Sequence, residues 1–319
     1  MHKHPNAAVG WLCALLIALT APGVRADQGG VPFWFSGQFA SLAAVPATPG
    51  WSMVVAPYYY KGSADKSHTF QTGQTVSGGL SSIAPLVLLQ PGYAFEDKVL
   101  GGQPYVGLGW GPGNNRTSAD VSLSRPGFDR SNGDSVTGGT DLYPFGSLAW
   151  NKGNDNWMTY VTGDIPVGAY DANRLSNLGI GHAAIDGGGG YTYLNNTTGR
   201  EFSAVVGVTY SWENTHTNYK NGVDSHLDWA VSQFLSENWQ VGVAGYVYYQ
   251  LTGDSGRGDR VGAFKSRIAA VGPEVGYAFK YNGQAAYFNI RGYKEFWAQN
   301  RVEGYAIFAT LSIPLGSVR

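Results

Sequence analysis

EFSAVVGVTYSWE, residues 201–213, alternates apolar and polar positions with little interruption. Phe202, Ala204, Val206, Val208, Tyr210 and Trp212 fall on one face. Glu201, Ser203, Val205, Gly207, Thr209, Ser211 and Glu213 fall on the other. Side chains of a β-strand repeat every two residues, so the stretch has one apolar face and one small, mostly polar face. A half-buried strand of a water-soluble sheet shows the same period, but usually over about 5–6 residues. The longer run suits a strand tilted across a bilayer, which needs about 9–11 residues. The back face is also small and polar rather than rich in lysine.

Other stretches repeat the pattern. In 239–251, Trp239, Val241, Val243, Val247, Tyr249 and Leu251 oppose Gln240, Gly242, Ala244, Tyr246, Tyr248 and Gln250. In 285–296, Ala286, Phe288 and Ile290 oppose Tyr287, Asn289, Arg291, Tyr293 and Glu295. In 305–315, Tyr305, Ile307, Ala309, Leu311, Ile313 and Leu315 oppose Ala306, Phe308, Thr310 and Ser312. Tryptophans 51, 110, 150, 157, 212, 239 and 297 sit at predicted strand ends, where indole favours a membrane–water interface. The predicted fold is all-β: a transmembrane antiparallel β-barrel spanning 51–315, with about 14 strands. The strand at 67–77 is the weakest, and merging it with its neighbour gives twelve.

With a periplasmic start, alternate connections should be short periplasmic turns. These are expected at Gly79-Leu80, Pro112-Gly113-Asn114, Lys152-Gly153-Asn154, Asn196-Thr197-Thr198, Ser236-Glu237 and Asn282-Gly283. The longest connections, 125–139, 166–184 and 252–263, all fall on the opposite side. Asp171 followed by Asn173, Arg174, Leu175 and Leu178 predicts a capped short helix in the second of these, over the barrel mouth.

Composition agrees. Only 13% of residues are charged, 14% are aromatic and 46 are glycine. So few charges would cover a soluble surface poorly but suit an apolar outer band. Residues 1–26 read as a cleavable signal peptide, with Lys3, the apolar run 7–20 and Val24-Arg25-Ala26. Cleavage removes Lys3, Arg25 and the single cysteine, Cys13. The remainder is mildly acidic, which argues against nucleic-acid partners, and it offers no disulfide. Residues 27–50 then form a leader. Phe33, Trp34, Phe35 and Phe39 lie among its small residues, and disordered segments seldom carry so many aromatics. The leader is expected to plug the barrel mouth. Residues 316–319 form a short tail.

Four stretches resemble the bacterial family named for the meta-pathway of phenol degradation, a group of predicted outer-membrane proteins. They are FWFSGQFASLAAVPATPGW (33–51), TGDIPVGAYDANRLSNLGIGHAAIDGGGGYTY (162–193), NGVDSHLDWAVSQFLSENWQVGVAGYVYYQLTGDSG (221–256) and GYKEFWAQNR (292–301). The resemblance implies an outer-membrane barrel associated with catabolism of aromatic or other hydrophobic compounds. A more distant likeness, to fatty-acid and hydrocarbon uptake channels, implies fourteen strands and an N-terminal hatch. Such barrels often end on an aromatic residue read by the barrel-assembly machinery, whereas this chain ends Leu315-Gly316-Ser317-Val318-Arg319.

The main polar constellation is Asp224-x-His226-x-Asp228, which period two turns toward the lumen. Glu201, Arg291 and Glu295 also point inward by alternation. Two readings stand: a charged ring that binds or filters a solute, and a network bracing the interior. Ser225 and His226 point to opposite faces, so they cannot act as nucleophile and base. Ligands two residues apart on a strand lie roughly 7 Å apart and do not converge on a metal. Neither catalysis nor a cofactor is expected. Gly187–Gly190 lacks the Gly-Lys-Ser/Thr of a phosphate loop and is expected to permit strand bending or close approach of the plug. Tyr246, Tyr248, Tyr287 and Tyr293, with Phe308, would line the lumen. The first functional reading is a passive outer-membrane channel for small hydrophobic or aromatic solutes, embedded among lipid and lipopolysaccharide. A structural or adhesive barrel without transport is the second. An envelope hydrolase is the third.

Overall fold

A computed structural model of the chain describes residues 23–25, 30–72, 75–122, 129–259 and 262–316. The predicted signal segment lies outside these residues except for β1 (Gly23–Arg25), which runs parallel to Thr69–Gln71. The end of the predicted tail, 317–319, also lies outside them.

No helix occurs among the described residues. The strands after β1 are β2 (Gly50–Thr72), β3 (Thr75–Ala94), β4 (Gln103–Gly109), β5 (Pro112–Ser122), β6 (Asp129–Gly139), β7 (Tyr143–Lys152) and β8 (Asp155–Asp164). They continue with β9 (Ala184–Asn195), β10 (Arg200–Ser211), β11 (Asp224–Phe234), β12 (Trp239–Gln250), β13 (Arg267–Tyr281), β14 (Gln284–Gln299) and β15 (Glu303–Gly316). From β7 to β15 each strand pairs antiparallel with the next. Pairing of β15 with β2 closes the ring.

The ring closes through twelve strands, the lower of the two expected counts. β4 and β5 ascend as one broken strand, while β6 and β7 descend as another. β3 pairs with β4 over Gly92–Ala94 and with β5 over Gly78–Leu86. β4 pairs with β7, and β5 with β6. Among the described residues fourteen strand segments thus follow β1, twelve positions close the barrel, and the β5–β6 hairpin adds the other two.

This corrects three predicted connections. Gly79-Leu80 lies within β3 and Pro112-Gly113-Asn114 within β5, while most of the expected loop 125–139 is β6. Pro112 has no N–H for a ladder. The chain breaks step there and continues instead of turning back. The remaining short turns, at 153–154, 196–199, 235–238 and 282–283, share one end with Gly50 and Gly316. This turn end also carries the 95–102 connection. The opposite, loop end carries 165–183, 212–223 and 251–266.

The predicted faces hold. Val206, Val208, Val231, Val243, Ile290 and Ile307 are exposed on the outside, whereas Val205, Ala230, Ala244 and Phe308 are buried inside. The predicted short helix is absent. Instead Asp171 Oδ1 accepts the Asn173 N–H at 2.9 Å and Arg174 N–H reaches Asp171 O at 3.0 Å, forming a tight turn. Segment 165–183 nonetheless folds inward, with Leu175, Leu178 and Ile180 buried.

Candidate functional site: a threaded lumen

The leader runs through the ring. At the loop end Gly30 lies against Gly179, where an added Cβ would come within 2.4 Å of its carbonyl oxygen. Val31 joins the cluster containing Leu178, and Phe33 packs with Ile180. At the turn end the leader passes into β2 at Gly50.

Its second half is fastened to the wall built by β9–β14. Asp228 accepts the N–H groups of Gly37 and Phe39, at 2.9 and 3.2 Å. Arg291 donates through Nε to Gly37 O at 3.0 Å and through Nη2 to Gln38 O at 2.7 Å. Glu201 accepts Leu42 N–H at 3.0 Å and Ser41 Oγ at 2.8 Å. Glu274 Oε1 accepts Ser41 N–H at 3.4 Å, and Thr192 Oγ1 accepts Ala44 N–H at 3.0 Å. A buried charge needs partners. Here many of those partners are the backbone groups of the leader, which form no sheet ladder.

Gly37 is the tightest of these points. Its φ is +82°, and an added Cβ would lie 2.7 Å from the Tyr293 ring and 2.9 Å from Tyr246. Tyr293 OH also donates to Gly37 O at 3.1 Å. Both the conformation and the space call for glycine.

Trp34 stacks on His226, with centroids 3.5 Å apart and planes at 19°. His226 Nε2 lies 2.9 Å from Asp186 Oδ2. Asp186 also accepts Tyr160 OH at 2.7 Å and Thr209 Oγ1 at 2.5 Å. Gly188 and Gly207 make room here: a Cβ would lie 2.8 and 2.1 Å, respectively, from Tyr160 OH. The close approaches of the glycine run are therefore to neighbouring wall strands, at Val206 O, Met158 O and Tyr160 OH, rather than to the leader.

The other predicted residues form separate groups. Glu295 accepts Tyr246 OH at 2.7 Å, Tyr60 OH at 3.0 Å and Gly304 N–H at 2.7 Å. Tyr248 lies beneath the Arg301 guanidinium, 4.8 Å from ring centroid to carbon. Tyr287 OH donates to Gln240 Oε1 at 2.5 Å, and Gln240 Nε2 reaches Ser41 Oγ at 2.9 Å. Asp224 is buried near the loop end and borders the loop-side space rather than the fastened part of the leader. Ser225 Oγ donates to Tyr249 O at 2.9 Å, while His226 points inward. Sequence reasoning missed Asp186, Glu274, Tyr160 and Thr192. Alternation could have placed each inward, but no local motif singles them out.

The opposite side of the lumen is richer in apolar side chains, with Ser52, Gln90, Ser147 and Thr162 interspersed among them. Phe33, Trp34, Phe35 and Phe39 line a cavity of about 430 Å³ together with Tyr143, Phe145, Met158 and Phe308, with Phe33 and Phe35 against the Tyr143 ring and Phe39 against Phe145. Ala56 and Leu88 line it, and it extends to Trp51 and Pro314 at the turn end. Phe33 and Trp34 also border a second space of about 30 Å³ near the loops. Both rings thus border the two spaces.

A family model described as "Putative MetA-pathway of phenol degradation" matches residues 92–311. The fold is similar to an outer membrane channel from Pseudomonas putida F1, with a TM-score of 0.62 and 12% identity over 88% of this chain and 98% of that chain. A FadL homologue from Pseudomonas aeruginosa aligns with a TM-score of 0.42 and 10% identity, over 92% and 96% of the two chains. No curated protein sequence matches.

Proposed function

The chain belongs to the phenol-degradation family whose model spans residues 92–311, and from that premise we propose that it is an outer-membrane channel for small hydrophobic or aromatic compounds. Uptake is passive, feeds their catabolism, and takes place in a barrel surrounded by lipid and lipopolysaccharide after insertion by the assembly machinery. Residues 27–50 act as its plug.

The carrying observation is the apolar cavity between the leader aromatics and one half of the wall. Its volume of about 430 Å³ falls within the usual range for small-molecule sites, roughly 300–1,000 Å³. A dry apolar cavity of about 150 Å³ already accepts benzene, so this space has room for a substituted ring. Tyr143, Phe145 and Phe308 offer ring faces and edges for stacking. The polar half of the wall is occupied in holding the leader, which leaves the more apolar side for the solute.

Uptake of radiolabelled aromatic compounds at low concentration tests this reading. A deletion strain should take them up more slowly, with the wild-type rate restored by the gene. Unchanged uptake across several compounds would refute it and favour a structural barrel.

A further inference from the structure

The space on the loop side of Phe33 and Trp34 differs in chemistry from the apolar cavity. Its lining includes Ser36, Thr209, Ser211, Asp224 and Arg301. Two of its lining residues, Trp34 and Arg301, each carry a buried donor, Nε1 and Nε, with no hydrogen-bond acceptor among the described residues. Leaving a buried donor unpaired is costly, so such atoms point to an acceptor that arrives from elsewhere. Trp34 itself is only 5% exposed.

We infer that this space is a polar subsite for the oxygen of an uncharged aromatic alcohol, aldehyde or ketone. The inference rests on the channel reading for where the ring goes. The ring occupies the apolar cavity, and the oxygen passes the edge of Phe33 and Trp34, which border both spaces. Size limits the occupant. A space of about 30 Å³ admits a water or one small oxygen group but not a ring. Arg301 and Asp224, of opposite formal charge, both line the space, so the pair gives it no net preference for a cation or an anion. A solute with a neutral oxygen displaces water and accepts from the indole N–H. A plain hydrocarbon strips that water and returns nothing.

The full chain in detergent micelles, carrying ¹⁵N-labelled tryptophan, tests the subsite. The Trp34 indole signal, assigned with Trp34→Phe, should shift saturably with benzyl alcohol, downfield and further than with toluene. Trp34→Phe, which also trims the apolar cavity, should lower the ratio of benzyl alcohol affinity to toluene affinity roughly tenfold. An indole signal unmoved by benzyl alcohol, or moved equally by toluene, overturns the inference. So does tighter binding of benzoate than of benzyl alcohol. If the variant does not fold, wild-type affinities decide: equal binding of toluene and benzyl alcohol overturns the subsite. Binding is read without transport. A barrel that carries toluene but ignores the alcohol oxygen removes only this inference, and one that binds benzyl alcohol but carries nothing removes only the channel.

Discussion

Asp228 on β11 accepts the Gly37 and Phe39 N–H groups of the leader with its two carboxylate oxygens, at 2.9 and 3.2 Å. The two residues of the shorter contact lie 191 positions apart in sequence. Hydrogen bonds to charged groups contribute about 1.5–3 kcal/mol each, and a buried group left without its partner costs at least as much. Asp228→Ala should therefore loosen the leader by about 2–4 kcal/mol. Limited proteolysis of the folded barrel should then cut within the leader, while heat-modifiable gel mobility stays that of a closed barrel. Protection equal to wild type would show that Asp228 does not fasten it. In the same variant, unaltered lipid, ester and peptide hydrolysis would also close the hydrolase reading.

Gly37 makes a sharper test because conformation and space agree there. Gly37→Val puts a branched side chain at φ +82° and drives it into the Tyr293 ring. Strain at such a position costs of order 1–3 kcal/mol before the clash is counted. The variant should release the leader without removing any wall charge. Its phenotype should match Asp228→Ala in protease sensitivity. Ordinary protection of the leader in Gly37→Val would contradict this account.

The fold was legible in the sequence wherever lipid imposes a rule. Val206, Val243 and Ile307 alternate outward because hydrocarbon admits only apolar side chains there. The break between β4 and β5 was not legible, because Gly111-Pro112-Gly113 reads as a turn. A proline that interrupts a ladder and a proline that reverses the chain have the same local chemistry. Only the long-range pairing of β3 with both segments separates them. The site was legible in the same partial way. Period two placed Glu201, Asp228 and Arg291 inward, but it does not say what they meet. Their partners are the backbone of residues 37–42, which no side-chain pattern specifies. Glu274 went unnoticed because it follows Pro273 in a strand with weak alternation. Asp186 sits at the head of a glycine run that drew attention to itself.

Deleting residues 30–44 tests whether the leader closes the lumen. The ring closes through β2 and β15 without it, so the barrel should still fold. Glu201, Asp228, Glu274 and Arg291 would then be hydrated by water entering the lumen. Single-channel conductance in planar bilayers should rise several-fold over the full chain. A barrel silent in both forms would favour a structural or adhesive role.

Filling the apolar cavity separates transport from stability. Ala56 lies on β2 and lines the cavity without belonging to the fastened polar wall. Ala56→Trp grows into space rather than into packed neighbours, so it should avoid most of the roughly 1–3 kcal/mol cost of overpacking a full core. Uptake of aromatic compounds should fall several-fold while the thermal transition stays close to wild type. Val243→Trp supplies the control, because Val243 is 45% exposed on the outer face and touches no part of the lumen. If both variants slow uptake equally, the effect belongs to the membrane-embedded surface and not to the cavity. If neither does, solute does not pass between the leader aromatics and the β2–β8 wall.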